Sequence, residues 1–202
     1  MAEYHTYHLA AVAAGVGAAA VTSIIAPNLG LEVIGITALS GYVGGLLPDI
    51  DDTNSSSFHV VQRLSRLAAV LVPAIQFFYR PTDLLLAIPI ALFMVSRFWE
   101  VLSQIVKRGG HTHSVIAAVC LSLGVAWVGY LTVGSAAALP AFLASSVSYL
   151  LHLLLDDLDN VRFVETKTGM RPALLPVGRG RAIELYSILA IGFVSFFALW
   201  GI

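Results

Sequence analysis

Charge is what this chain has least of. Only 11% of its 202 residues are Asp, Glu, Lys or Arg, against 58% apolar, and the mean hydropathy is +0.86. A soluble domain carries about 25% charged residues, so this chain could not cover a water-facing surface. That shortage excludes an ordinary cytosolic enzyme and a disordered polypeptide. Cysteine is almost missing as well: Cys120 stands alone, so no internal disulfide can form and a secreted disulfide scaffold is excluded. The net charge of −1 offers no basic excess, and nucleic acid is not expected as a partner. No Lys or Arg precedes the first apolar run, unlike the basic start of a cleavable signal peptide, so that run is expected to be a retained span. Internal repeats, low-complexity segments and a boundary between two domains are all missing too. A single multi-pass membrane domain over 1–202, surrounded by membrane lipid, is the expectation.

The apolar residues fall in runs at about 9–26, 31–47, 67–79, 83–96, 115–133, 136–155 and 184–202. A helix crosses the hydrocarbon core with about 20 residues, so the expected fold is an all-α integral membrane helical bundle of about seven transmembrane helices. The count drops to five if the short pair at 67–96 does not cross. Turns are expected at Pro27–Gly30 and at Gly134-Ser135. With either count, the N-terminus and the polar stretches 48–66, 97–114 and 156–183 share one side. That side holds every one of the 11 basic residues except Arg80. Positive charge marks the cytoplasmic face, so the N-terminus is expected inside, in a cell inner membrane. Trp99, Trp127 and Trp200 are expected at the interface or facing lipid.

The polar residues that remain are not scattered. His5 and His8 open the first helix, Asp49, Asp51 and Asp52 close the second, His111 and His113 precede the fifth, and His152 and Asp156 end the sixth. All lie at the cytoplasmic ends of four separate helices. His152 and Asp156 stand at i and i+4, so both face one way and can hold one cation. Carboxylates at a helix C-terminus oppose the macrodipole, and Asp156, Asp157 and Asp159 crowd such an end; a nearby cation would account for them. Ser114 is placed to cap the fifth helix. Imidazole nitrogen and carboxylate oxygen without thiolate suit Zn²⁺, Mn²⁺ or Fe²⁺ alike. Four imidazoles and four carboxylates exceed the needs of one ion, so two or more are expected. Such a centre acidifies water and clamps phosphoryl oxygens, which fits phosphoester hydrolysis best.

At these residues the chain resembles the YdjM-type family of LexA-binding, inner-membrane-associated metal-dependent hydrolases. The family's N-terminal helix His corresponds to His8, and its L-P-D-I-D-H segment to Leu47-Pro48-Asp49-Ile50-Asp51-Asp52. Its H-R-G-x-T-H-S corresponds to Thr112-His113-Ser114, and its H-x-x-x-D helix to His152 and Asp156. Two departures stand out: Asp52 replaces a family His, and His111 lies three residues from the family's first imidazole. A weaker match, Gly180 to Glu184, resembles the family's G-x-x-x-E element. A distant similarity of the family to the zinc-dependent phospholipase C and nuclease superfamily implies zinc as the metal, and the LexA-binding label implies a cytosolic protein partner.

Taken together, the expected metal ligands are His8, Asp49, Asp51, His111, His113, His152 and Asp156. Asp52 and Glu184 are candidates for the catalytic base, and Arg179 and Arg181 for contacts to a substrate phosphate. Depth at the interface favours a lipid head group or lipid-linked phosphate as substrate. The rival reading is a non-enzymatic protein in which the metal staples helix ends and presents loops to a cytosolic partner. A cation transporter would need ionisable groups at mid-membrane, and the spans at 9–26, 115–133 and 184–202 have none apart from Cys120. Each polar group also has a plainer role: a polar turn through 52–55, interfacial hydrogen bonds for His152, and topology alone for the arginines.

Overall fold

Long apolar stretches in lipid leave the backbone no outside hydrogen-bond partner, and helix satisfies it from within. The computed structural model describes residues 2–105 and 112–164, with side chains over 7–104 and 112–156. The described residues form six helices and no strand: α1 Ala2–Ile25, α2 Leu31–Leu46, α3 Ser56–Gln76, α4 Pro81–Ile105, α5 Val115–Val133 and α6 Ser135–Val164. Each is long and apolar enough to cross a membrane, so the chain is a helical membrane bundle. The seventh apolar run, 184–202, lies outside the described residues.

Residues 67–79 and 83–96 belong to helices longer than their apolar runs. Ser55 caps α3 by accepting the Phe58 N–H at 3.0 Å, so the helix starts some ten residues before the apolar run. Its first turns alternate exposed His59 and Arg63 with buried Phe58 and Val61, a pattern that breaks up any continuous apolar run. With 21 and 25 residues, α3 and α4 extend about 31 and 37 Å. Both therefore have the length to span.

Small residues decide which helices sit at the centre. Hydrophobic burial does not drive helices together in lipid, so close backbone approach and van der Waals contact must. α2 packs most extensively on α1 and α6, α6 packs in turn on α5, and α3 pairs mainly with α4. A Cβ on Gly41 would lie 2.6 Å from Gly15 Cα on α1, and one on Gly44 would collide with the Ser145 backbone on α6. Gly134, in the left-handed region at φ 101°, ends α5 and turns the chain directly into α6.

The α3–α4 pair packs differently. Trp99 is 4% exposed, donates its indole N–H to Ser65 Oγ at 2.7 Å, and meets Phe58 edge-on with ring centroids 5.0 Å apart. Trp99 therefore does not face lipid, as one of the two expectations had it: its polar N–H finds a partner across the pair, and its rings fill the contact. The outer face of α4, with Leu85, Leu86, Ile90, Phe93 and Met94, is exposed, as a lipid-facing surface is.

Candidate metal centre

The short turns between helices bring the start of α1, the end of α2 and the start of α5 to one end of the bundle, beside His152 and Asp156 of α6. A 3₁₀ turn, Leu47–Asp51, continues α2, with Pro48 fixing its first residues. Leu47, Pro48 and Ile50 are buried while Asp49 and Asp51 are not. The apolar residues anchor the turn in the core and leave the carboxylates on its open side. Asp49 is then held from α3: Ser57 Oγ donates to Asp49 Oδ2 at 3.1 Å, and Ser55 Oγ donates to the Asp49 carbonyl at 2.9 Å.

His113 arrives on the segment before α5. Ser114 caps that helix by accepting the Ala117 N–H at 3.1 Å. Thr112 is 1% exposed and donates its hydroxyl to the Pro48 carbonyl at 2.7 Å, while its own carbonyl accepts the Tyr149 hydroxyl of α6. The segment is thus pinned to the turn after α2 on one side and to α6 on the other.

One ligand atom from each of Asp49, His113 and His152 lies within 4.8 Å of the others. Asp156 joins them: its Oδ2 is 3.0 Å from His113 Nε2 and 3.5 Å from His152 Nε2. Asp51 Oδ2 is 3.8 Å from His113 Nδ1. His152 is the most telling member. It is 3% exposed, and its Nδ1 lies 2.7 Å from the Gly45 carbonyl. A carbonyl only accepts, so Nδ1 carries the proton. In the neutral ring, Nε2 then presents a lone pair to Asp49 Oδ1 at 3.4 Å and to Asp156. It is buried and has no hydrogen-bond partner. A lone pair facing carboxylates is repulsive unless a proton or a metal cation lies between them, and a backbone acceptor on the other nitrogen is how metal-binding histidines are oriented.

Burial is the largest single influence on the His113 pKa and lowers it. The hydrogen bond to Asp156 and the charges of Asp51, Asp156 and Asp49 together outweigh it, so the net shift is upward. The carboxylates here attract positive charge, and a proton on His113 and a divalent cation compete for the same place.

One expected ligand, His8, and one candidate base, Asp52, have other contacts. His8 Nδ1 is 3.2 Å from the Tyr42 hydroxyl, and its ring lies 6.1 Å from that of Tyr42. Asp52 Oδ1 accepts the Asn54 N–H at 3.0 Å, making a turn through Asp52 to Asn54. His111, Arg179, Arg181 and Glu184 lie outside the described residues. One residue at the site was not anticipated: Tyr7. Its ring stacks on His152, with centroids 4.6 Å apart and planes 23° from parallel, and its hydroxyl bonds Asp156.

The fold and this cluster define a multi-pass helical membrane protein with a His and carboxylate centre at one end of its bundle. The chain matches the family model of the YdjM inner membrane protein over residues 5–200, and it belongs to that family. No curated protein and no solved structure matches it.

Proposed function

We propose that this protein is a membrane-embedded, metal-dependent hydrolase of phosphoesters, acting at the cytoplasmic ends of its helices. The reading is carried by the Asp49, His113 and His152 triangle with the buried, unpartnered His152 Nε2 at its centre. These donors fit a divalent cation, with zinc the first choice and manganese or iron the alternatives. Asp49, His113 and His152 would hold it, with Asp156 beside them; a second ion would draw on Asp51, Asp52 and His111. When bound, such a cation supplies charge stabilisation at a phosphoryl oxygen and acidifies water.

The chain's own residues supply the rest. Asp49, His113 and Asp156 are 22–31% exposed at their side chains, so the centre opens on one side while His152 closes the other. Asp51 and Asp52 lie beside the triangle and Asp156; one of them, or Glu184, takes the proton of the attacking water. Arg179 and Arg181 would meet the substrate phosphate. A centre at the membrane surface favours a lipid head group or a lipid-linked phosphate. The cytoplasmic orientation rests on the gathering of basic residues at this end.

A second reading has its own support. The cluster joins α1 through Tyr7, the turn after α2, the segment before α5, and α6, as a structural staple presenting loops to a cytosolic protein would. Purified protein, supplied with zinc or manganese and offered phospholipids, lipid-linked phosphates and soluble phosphoesters, separates the two. Turnover of an amphiphilic phosphoester is the expected result. Full metal loading without hydrolysis across that panel would overturn the enzymatic reading in favour of the staple.

A further inference from the structure

Thr112 is fully buried, next to a candidate ligand, and it has no part in the chemistry described so far. Its hydroxyl has one proton, and the Pro48 carbonyl at 2.7 Å takes it. His113 Nδ1 lies 3.3 Å from the same oxygen. Having spent its proton, that oxygen can only accept from His113, so Nδ1 carries a proton and Nε2 is the position that a second proton or a cation can take. Nε2 is then the atom left facing Asp156 and the cluster. His152 is fixed in the same sense by the Gly45 carbonyl.

The geometry points to Thr112 as a positioning residue that selects the tautomer of His113 and ties it to the turn bearing Asp49. The inference rests on the cation-binding reading above. One hydroxyl links two ligand-bearing segments, since the carbonyl it bonds immediately precedes Asp49 in the chain. Valine matches the shape of threonine but has no hydroxyl. Thr112→Val would therefore leave the Pro48 carbonyl without its donor and the His113 Nδ1 without its acceptor, freeing the imidazole to turn. Serine keeps the hydroxyl.

The test is cobalt(II) binding to the purified full-length protein, read by titration and by the visible d–d spectrum, which reports coordination geometry. Losing a partner that orients a ligand typically costs 10- to 100-fold in metal affinity. Thr112→Val is expected to bind cobalt about 10- to 100-fold more weakly with an altered spectrum, and Thr112→Ser to stay close to wild type. Tyr149→Phe removes the other tie to this segment while sparing the hydroxyl, and should lower thermal stability with little change in affinity. If the valine protein does not accumulate in the membrane, Thr112→Ala is read in its place. A valine or alanine protein with wild-type affinity and spectrum overturns the inference alone. Wild-type protein that binds no cobalt overturns the cation reading itself.

Discussion

The two halves of this bundle solve the same problem with different materials. α1, α2, α5 and α6 meet through Gly, Ala and Ser, with backbones close enough that a Cβ on Gly44 would strike Ser145. α3 and α4 meet through large aromatics, Phe58 and Trp99, and turn much of their apolar surface outward. Close backbones bring helix ends together, and the ligand-bearing residues all sit on the small-residue half. Among the described residues the aromatic half hydrogen-bonds Asp49 through Ser55 and Ser57, where α3 begins. In lipid, where association depends on contact rather than on expelling water, the small-residue half is the part able to hold a site to a fixed geometry.

Substitutions in the two halves should break this contrast most visibly. Gly44→Val drives a side chain into backbone, and overpacking costs up to about 3 kcal/mol or more; unfolding in mild detergent should show that loss together with loss of bound metal. Trp99→Ala removes a large buried ring at a comparable cost of about 3–5 kcal/mol, yet the same measurement should find the metal retained. Next in size is His113→Ala, which deletes a ligand and should weaken metal binding more than about 100-fold, beyond the range for an outer partner.

Acid should act on the centre through His113. The His113 pKa is raised, so the proton is held to a higher pH than on a free imidazole, and metal must displace it. Apparent affinity should therefore be highest above that raised pKa and fall about tenfold per pH unit below it, in calorimetric titrations across the neutral range. Ser57→Ala, the one substitution on α3 expected to reach the centre, should weaken binding about tenfold by releasing Asp49. Leu86→Ala, on the lipid face of α4, should change stability by no more than about 0.5 kcal/mol.

Much of this architecture is legible in the sequence, and the exceptions have physical causes. Helices follow from apolar length, and both short turns fall where Pro27–Gly30 and Gly134-Ser135 place them. The start of α3 is hidden because its amphipathic turns do not form an apolar run. Trp99 is hidden because composition cannot tell a tryptophan in a helix pair from one at an interface; its partner, Ser65, is 34 residues away. At the centre, Asp49, His113, His152 and Asp156 stand out because scarce polar residues gather at four helix ends. Asp52 shares that signal, yet one of its oxygens serves a local turn, as Asp two residues before an Asn can. Tyr7 left a fainter trace: it faces His152 across helices, which no local spacing reveals. The sequence did offer Thr112 in its Thr-His-Ser motif, but only the distance to Pro48 gives that threonine a role.

One end of the small-residue half is proposed to hold a divalent cation. Elemental analysis of detergent-purified protein, prepared without chelators beside the His152→Ala/Asp156→Ala double variant, tests it most directly. Stoichiometric zinc or manganese in the wild type, and its loss in the variant, is the expected result. Wild-type protein without stoichiometric metal, or a variant that keeps it, would contradict the claim and leave these side chains as polar contacts at a helix-bundle end.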